Sequence, residues 1–200
     1  MLAPLKSARP SGAGTNTGTG LTLVECLVAM GVLAITMAVA APSFVDLLNR
    51  RRVQVVAANL SNDLAYARAE SGLRPENVIV YFQQTSTVSC YTIAYGIGYG
   101  HCDCSKAPGS ACSSHTSLQE LRTEQLLSST GVSFSPTGSW PAGARNRVAF
   151  QAPQMLPSVQ NFGVNVVGRS SQLRVELNGM GRVHLCSPNG SFSGVPVCVS

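Results

Sequence analysis

The feature that most limits this chain is an apolar run over residues 21 to 41, whose only charged side chain is Glu25. As an α-helix at ~1.5 Å per residue it extends ~31 Å, the thickness of one hydrocarbon core. Such a segment either crosses a bilayer or is removed as a signal. The small residues "AVA" at 38–40 offer a cleavage site of the ordinary secretory kind. Two features oppose that reading. Lys6 and Arg9 are separated from the run by "PSGAGTNTGTG", and an acid is out of place in the apolar part of a signal.

A carboxylate in a membrane span costs ~2.5–3.5 kcal/mol at the helix centre and less near an end. It is retained only with a partner. A cut after Gly20 would create an α-amino group four residues before Glu25, on the same helical face. That ammonium could neutralise the acid, within one chain or between neighbouring chains. The position of Glu25 therefore predicts cleavage between Gly20 and Leu21.

Of 200 residues, 44% are hydrophobic and 12% charged, which suits a packed domain and argues against wholesale disorder. The net charge is +5; without Lys6 and Arg9, twelve basic residues remain against nine acidic, a net +3. That permits contact with phosphate or anionic lipid and does not demand it. The cysteines say more. Cys26 lies in the apolar run, and Cys90, Cys102, Cys104, Cys112, Cys186 and Cys198 follow it. An even set of six predicts disulfides and an oxidising compartment for the part after residue 42, with fifteen pairings open. Cys186 and Cys198 enclose a short loop, "SPNGSFSGVPV", whose Gly and Pro residues favour turning back, so these two are expected to pair. The other four would pair among themselves. Lys6 and Arg9 before the span are opposed by Arg50, Arg51 and Arg52 after it, so charge leaves the orientation open. The cysteines place the N-terminus inside and the C-terminal domain outside. The three arginines read as a solvated face or a headgroup contact.

After Pro42 the apolar stripe continues through Val53, Val56, Leu60, Leu64 and Ala67 at steps of three and four, which is amphipathic helix. Pro42 should kink this rod rather than end it. An end near Ser71 is predicted by Gly72 as a C-cap and by Pro75. From residue 77 short β-type runs alternate with Gly, Pro and Ser. Strands are expected at 77–82, 88–96, 131–136, 147–151 and 162–168, and a hairpin at 172–186 with its turn at Asn178, Gly179 and Gly181. The hairpin's apolar parity is Leu173, Val175, Leu177, Val183 and Leu185; its polar parity carries Arg174, Glu176, Arg182 and His184. The fold class is α+β: a long N-terminal helix, transmembrane then amphipathic, packed on an antiparallel β-sheet or sandwich.

The stretch "GLTLVECLVAMGVLAITMAVAAPSF" resembles the class III signal and N-terminal helix of type IV pilins and pseudopilins. Gly20, Leu21, Glu25 and Pro42 occupy the matching positions. Thr19 stands where that family has a basic residue, and Leu21 where it has Phe. The resemblance implies cleavage by a prepilin peptidase at Gly20, methylation of Leu21, and assembly into a filament through Glu25 and the Pro42 helix. "AYARAES" at 65–71, with "GRVHLCSPNG" and Cys198, is similar to the FimT/GspH branch of minor pilins and pseudopilins. In that branch a basic "GRxR" stretch is tied to DNA capture. Gly181 and Arg182 match it, and His184 replaces the second Arg. The implied layout is a leader at 1–20, a span at 21–41, the amphipathic half of the helix at 42–72, and a periplasmic domain at 73–200 anchored in a bacterial inner membrane. The implied partners are other pilins or pseudopilins, the prepilin peptidase and the inner membrane.

No P-loop, hydrolase elbow or dinucleotide fingerprint is present, so enzymatic activity and a cofactor are not expected. Cys102, Cys104, Cys112 and His115 could in number hold zinc. The C-x-C start is tight for that, and disulfides pinning a Gly/Ser-rich loop are the better account. Arg174, Arg182 and His184 form a candidate cationic patch for weak, non-specific DNA contact; a solvated strand face partly neutralised by Glu176 is the plain alternative. Two functions follow: a structural subunit of a type II secretion pseudopilus or type IV pilus, or a DNA-binding minor pilin.

Overall fold

Thr22 sets the start of the first element. Its hydroxyl accepts the Glu25 backbone N–H at 3.3 Å, satisfying one of the donors that a helix N-terminus leaves unpaired. The helix that follows, α1, runs Leu23–Leu73 over 51 residues. The structure, a computed structural model, describes residues 22–97, 100–137 and 146–198, apart from the side chains at 40 and 42. Gly20 and Leu21 lie outside the described residues, as does the Pro42 side chain; the helix runs on through position 42. The end at Leu73 is two residues beyond the position expected from Gly72 and Pro75, an ordinary shift for a helix terminus. The division between two structural units falls between Pro42 and Ser43.

In the first unit the described side chains of α1 are exposed. Its best 18-residue window has a mean hydropathy of 2.3, and none of that window is buried. Among the described residues it is the one helix long and apolar enough to cross a membrane. Thr36, a polar residue in this apolar stretch, returns its hydroxyl proton to the carbonyls of Val32 and Leu33 at 3.0 and 2.9 Å. The helix itself therefore satisfies it.

In the second unit, Val53, Ala57, Leu60, Leu64 and Ala67 are fully buried against two antiparallel sheets. Val56, expected on this stripe, sits at its margin, and Ala57 takes the central place. The first sheet contains β1 (Val78–Gln84), β2 (Val88–Gly96), β3 (Leu118–Leu127), β5 (Arg147–Gln151) and β6 (Leu156–Pro157), in the order β3-β2-β1-β5-β6. The second contains β4 (Ser133–Thr137), β7 (Phe162–Val167), β8 (Gln172–Leu177) and β9 (Val183–Cys186), in the order β4-β7-β8-β9. This is the α+β class. One core joins the helix stripe to Val80, Phe82, Tyr91 and Ile93 of the first sheet and to Val164, Val166, Leu173 and Val175 of the second. Ser89 ties the sheets together: its hydroxyl accepts the Phe134 N–H at 2.8 Å.

β1 explains why part of the sheet reads as continuous rather than alternating. Val78, Ile79, Val80, Tyr81 and Phe82 are all buried. Val80 and Phe82 face the helix core, while Ile79 and Tyr81 face a second small core with Ala94, Leu118, Cys102 and Cys112. A strand covered on both faces loses its polar parity. The cover is the segment before β3, fastened by Cys90 to Cys104 and Cys102 to Cys112. β3 itself was not anticipated from sequence. It is an edge strand whose Glu120, Arg122 and Glu124 dilute the β pattern.

Candidate functional site

Two regions carry the residues singled out by sequence: the first turns of α1, and the β8–β9 hairpin. At the first, Glu25 stands in the opening turn of the helix. Negative charge there is favoured by the partial positive charge of the N-terminus, independently of any second amine. Cys26, next to it, is a free and exposed thiol.

The hairpin has the expected parity. Leu173, Val175 and Leu177 are buried, and the β8–β9 register sets Arg174 opposite Cys186 and Glu176 opposite His184. Its turn is held by Asn178, whose side-chain oxygen accepts the N–H groups of Met180 and Arg182 at 3.1 and 2.9 Å. Gly181 has φ +74°, a left-handed conformation that favours glycine. Of the three basic residues, Arg174 is engaged within the sheet, whereas Arg182 and His184 face a groove. Arg174 donates to Asn165 Oδ1 at 2.9 Å and pairs with Glu176 at 3.4 Å. Arg182 and His184 are exposed, and with Arg68 of α1 they line an open groove of about 400 Å³. Arg68 was not singled out, because its approach to Gly181 spans more than a hundred residues of sequence.

Cys186 and Cys198 are joined, with Cα atoms 4.9 Å apart. Glu176 lies close to both sulfurs, but each thiolate is already spent in the bridge, so the three are not a metal site. Cys102, Cys104 and Cys112 are likewise disulfide-bonded and offer no zinc ligands.

The arginine run after the apolar stretch is not simply a solvated face. The Arg50 guanidinium donates to the Ser191 carbonyl and lies 4.7 Å from the centre of the Phe192 ring, inside the loop closed by Cys186 and Cys198. Arg52 donates to the Thr130 carbonyl. Arg51 donates to Gln54 on its own helix. The buried Asn49 adds bonds to the Gly131 carbonyl at 3.1 Å and from the Arg169 N–H at 2.8 Å, and Asp46 accepts from Ser170. Residues 46 to 52 thus form a polar collar binding α1 to three loops.

Farther along, the buried Asp63 accepts the Tyr91 hydroxyl at 2.6 Å and pairs with Arg122 at 2.9 Å. Burial pushes the Asp63 carboxyl above its usual range, against the Tyr91 bond and the Arg122 charge, which favour the anion. The Tyr91 phenol is pushed far up by burial and then by the Asp63 carboxylate. On β3, Glu120 accepts from Thr123 and from the N–H groups of Gly109 and Ala111. Burial raises its pKa, but these bonds outweigh it and hold the carboxyl below the usual range.

No family model matches this sequence, and no curated protein matches it. Among solved structures the chain is similar to the minor pseudopilin EpsH from the Type 2 Secretion System of Vibrio cholerae. The identity is 12% and the TM-score 0.46, over 68% of this chain and 97% of that one.

Proposed function

We propose that this chain is a non-enzymatic, single-pass subunit of a membrane-anchored filament of the pilin class. It would be a minor pilin or pseudopilin serving a type II secretion pseudopilus or a type IV pilus. One observation supports the reading above others. A single helix carries an exposed apolar stretch with Glu25 in its first turn, then buries Val53, Ala57, Leu60, Leu64 and Ala67 beneath the chain's own sheets. On this reading residues 1–20 are a leader removed between Gly20 and Leu21 by a prepilin peptidase, and the Leu21 amine is methylated. Residues 21–41 lie in a bacterial inner membrane. The remainder, with its three disulfides, lies in the periplasm and meets other pilins or pseudopilins.

Intact mass of the protein purified from membranes tests the processing step. The mature chain should begin at Leu21 and carry one additional methyl. A chain beginning at Ala41, after the "AVA" sequence, would replace this reading with a removable secretory signal. The DNA-capture reading has less in its favour, since Arg174 is already engaged by Asn165 and Glu176. Arg182 and His184 would remain to meet phosphate, with a salt slope of about −2 at most.

A further inference from the structure

The groove between α1 and β9 has chemistry that neither an anchor nor a β scaffold requires. Ser61, Asn62, Ala65 and Arg68 form its helical wall, and residues 181 to 184 form the other. Arg68, Arg182 and His184 are its basic residues, and no residue lining it is acidic. The Nε of Arg68 is buried and has no hydrogen-bond partner among the described residues. The backbone at Gly181 comes so close that an added Cβ would stand 2.8 Å from that Nε and 3.0 Å from the Met155 carbonyl oxygen. Only a residue without a side chain leaves Arg68 its position.

Converging cations repel, and a buried guanidinium N–H without an acceptor is costly. An anion entering the groove offsets the repulsion and gives the Arg68 guanidinium an acceptor on the side that lines it. We propose that this groove docks a carboxylate carried on an apolar segment of a protein partner. A guanidinium presents paired donors matched to a carboxylate, and Arg68 and Arg182 bring two such forks to one recess. The surroundings choose the kind of ligand. Met155 packs its side chain against Gly72 and brings its carbonyl to Gly181, so the exposed Leu73, Leu156 and Met180, each next in sequence to one of these three residues, put apolar surface beside the Gly181 end of the groove. Along the hairpin, by contrast, Glu176 stands opposite His184 and Arg174 is occupied. A polyanion laid along that face meets a carboxylate, whereas a single acidic side chain seated in the groove does not.

This site does not depend on the filament reading of α1, because its readout is binding rather than assembly. The test uses the full chain in detergent micelles and a fluorescent peptide of serine and leucine that carries a single central glutamate. The control is the same peptide with glutamine for glutamate. The acidic peptide should bind saturably, and the glutamine peptide roughly tenfold more weakly. Arg182→Gln and Arg68→Gln should each cost about tenfold for the acidic peptide and little for the control. Arg182→Gln should melt at the wild-type temperature, since its side chain is exposed and unpartnered among the described residues. Short duplex DNA at physiological salt should fail to displace the peptide. The proposal is overturned by equal binding of the two peptides, by Arg182→Gln binding like wild type, or by no saturable binding. Displacement by duplex DNA would equally overturn it, in favour of a polyanion.

Discussion

Both parts of α1 draw their apolar side chains mainly from Ala, Val and Leu, yet they meet different surroundings. Before Pro42, Leu27, Val28, Leu33 and Ile35 are all more than half exposed and surround the helix on every side. After Ser43, Val53, Leu60 and Leu64 are fully buried along one stripe, while Arg51, Asn59 and Asn62 stay outside. The difference lies in periodicity. A helix apolar all round must find an apolar solvent or other helices, whereas a helix apolar on one stripe can be completed by its own sheets. One continuous element therefore serves two environments.

Cutting the same side chain in both parts should have unequal consequences. Leu60→Ala should lower the unfolding free energy of the full chain in detergent by ~2–5 kcal/mol, because it leaves a cavity in the sheet-covered core. Leu33→Ala should change it by no more than about 0.5 kcal/mol. Equal losses at the two positions would contradict the division of labour. Next in size, replacing Cys186 and Cys198 together by serine should cost ~3 kcal/mol by loop-closure entropy. The loss should appear in denaturant unfolding of the second unit and leave membrane retention unchanged.

The Asp63 cluster gives a smaller effect with a definite sign. Asp63→Leu leaves the Tyr91 hydroxyl buried without an acceptor and should cost ~1–3 kcal/mol; Asp63→Asn keeps an acceptor and should cost less. Because burial raises the Asp63 pKa above 3.8, the folded state binds its proton more tightly than the unfolded state. Its contribution to stability therefore falls as pH rises from about 3.8 through the folded value, and the cost is relieved on acidification. That component should vanish in Asp63→Asn; its persistence there would assign the slope to another group. Smallest is the collar. Arg50→Ala, losing Ser191 and the Phe192 ring, should cost ~1 kcal/mol, and Arg51→Ala almost nothing. A solvated arginine run would make the two alike.

These contacts join residues far apart in the chain, which a local sequence period does not encode. The helix stripe, the hairpin parity and most strands could be read because each is a local period in one stretch of chain. β3 could not, since Glu120 is turned to the covering loop and Arg122 to Asp63 and Glu124, so charged residues interrupt the apolar alternation. The anchoring of the arginine run is hidden from sequence for the same reason. Arg50 and Arg52 find their acceptors 141 and 78 residues away, and no local pattern encodes such a meeting. Arg68 escaped notice likewise: on the helix it reads as one more solvated cation, and only the Gly181 turn encloses it. Glu25 was read as an acid needing an amine, and the helix start at Leu23 adds the favourable field of its first turn.

On the proposed function, Glu25 is retained for assembly rather than for folding or anchoring. Wild type and Glu25→Ala can be compared in cells producing the filament, with each variant's share measured in sheared filaments and in membranes. The account predicts that both mature chains begin at Leu21 and that both are held in the membrane. Removing a charge from the apolar segment lowers the insertion cost, so retention should not suffer. Only wild type should enter the filament fraction. Equal incorporation of Glu25→Ala would contradict the account, because the one carboxylate of the apolar segment would then have no role in joining chains.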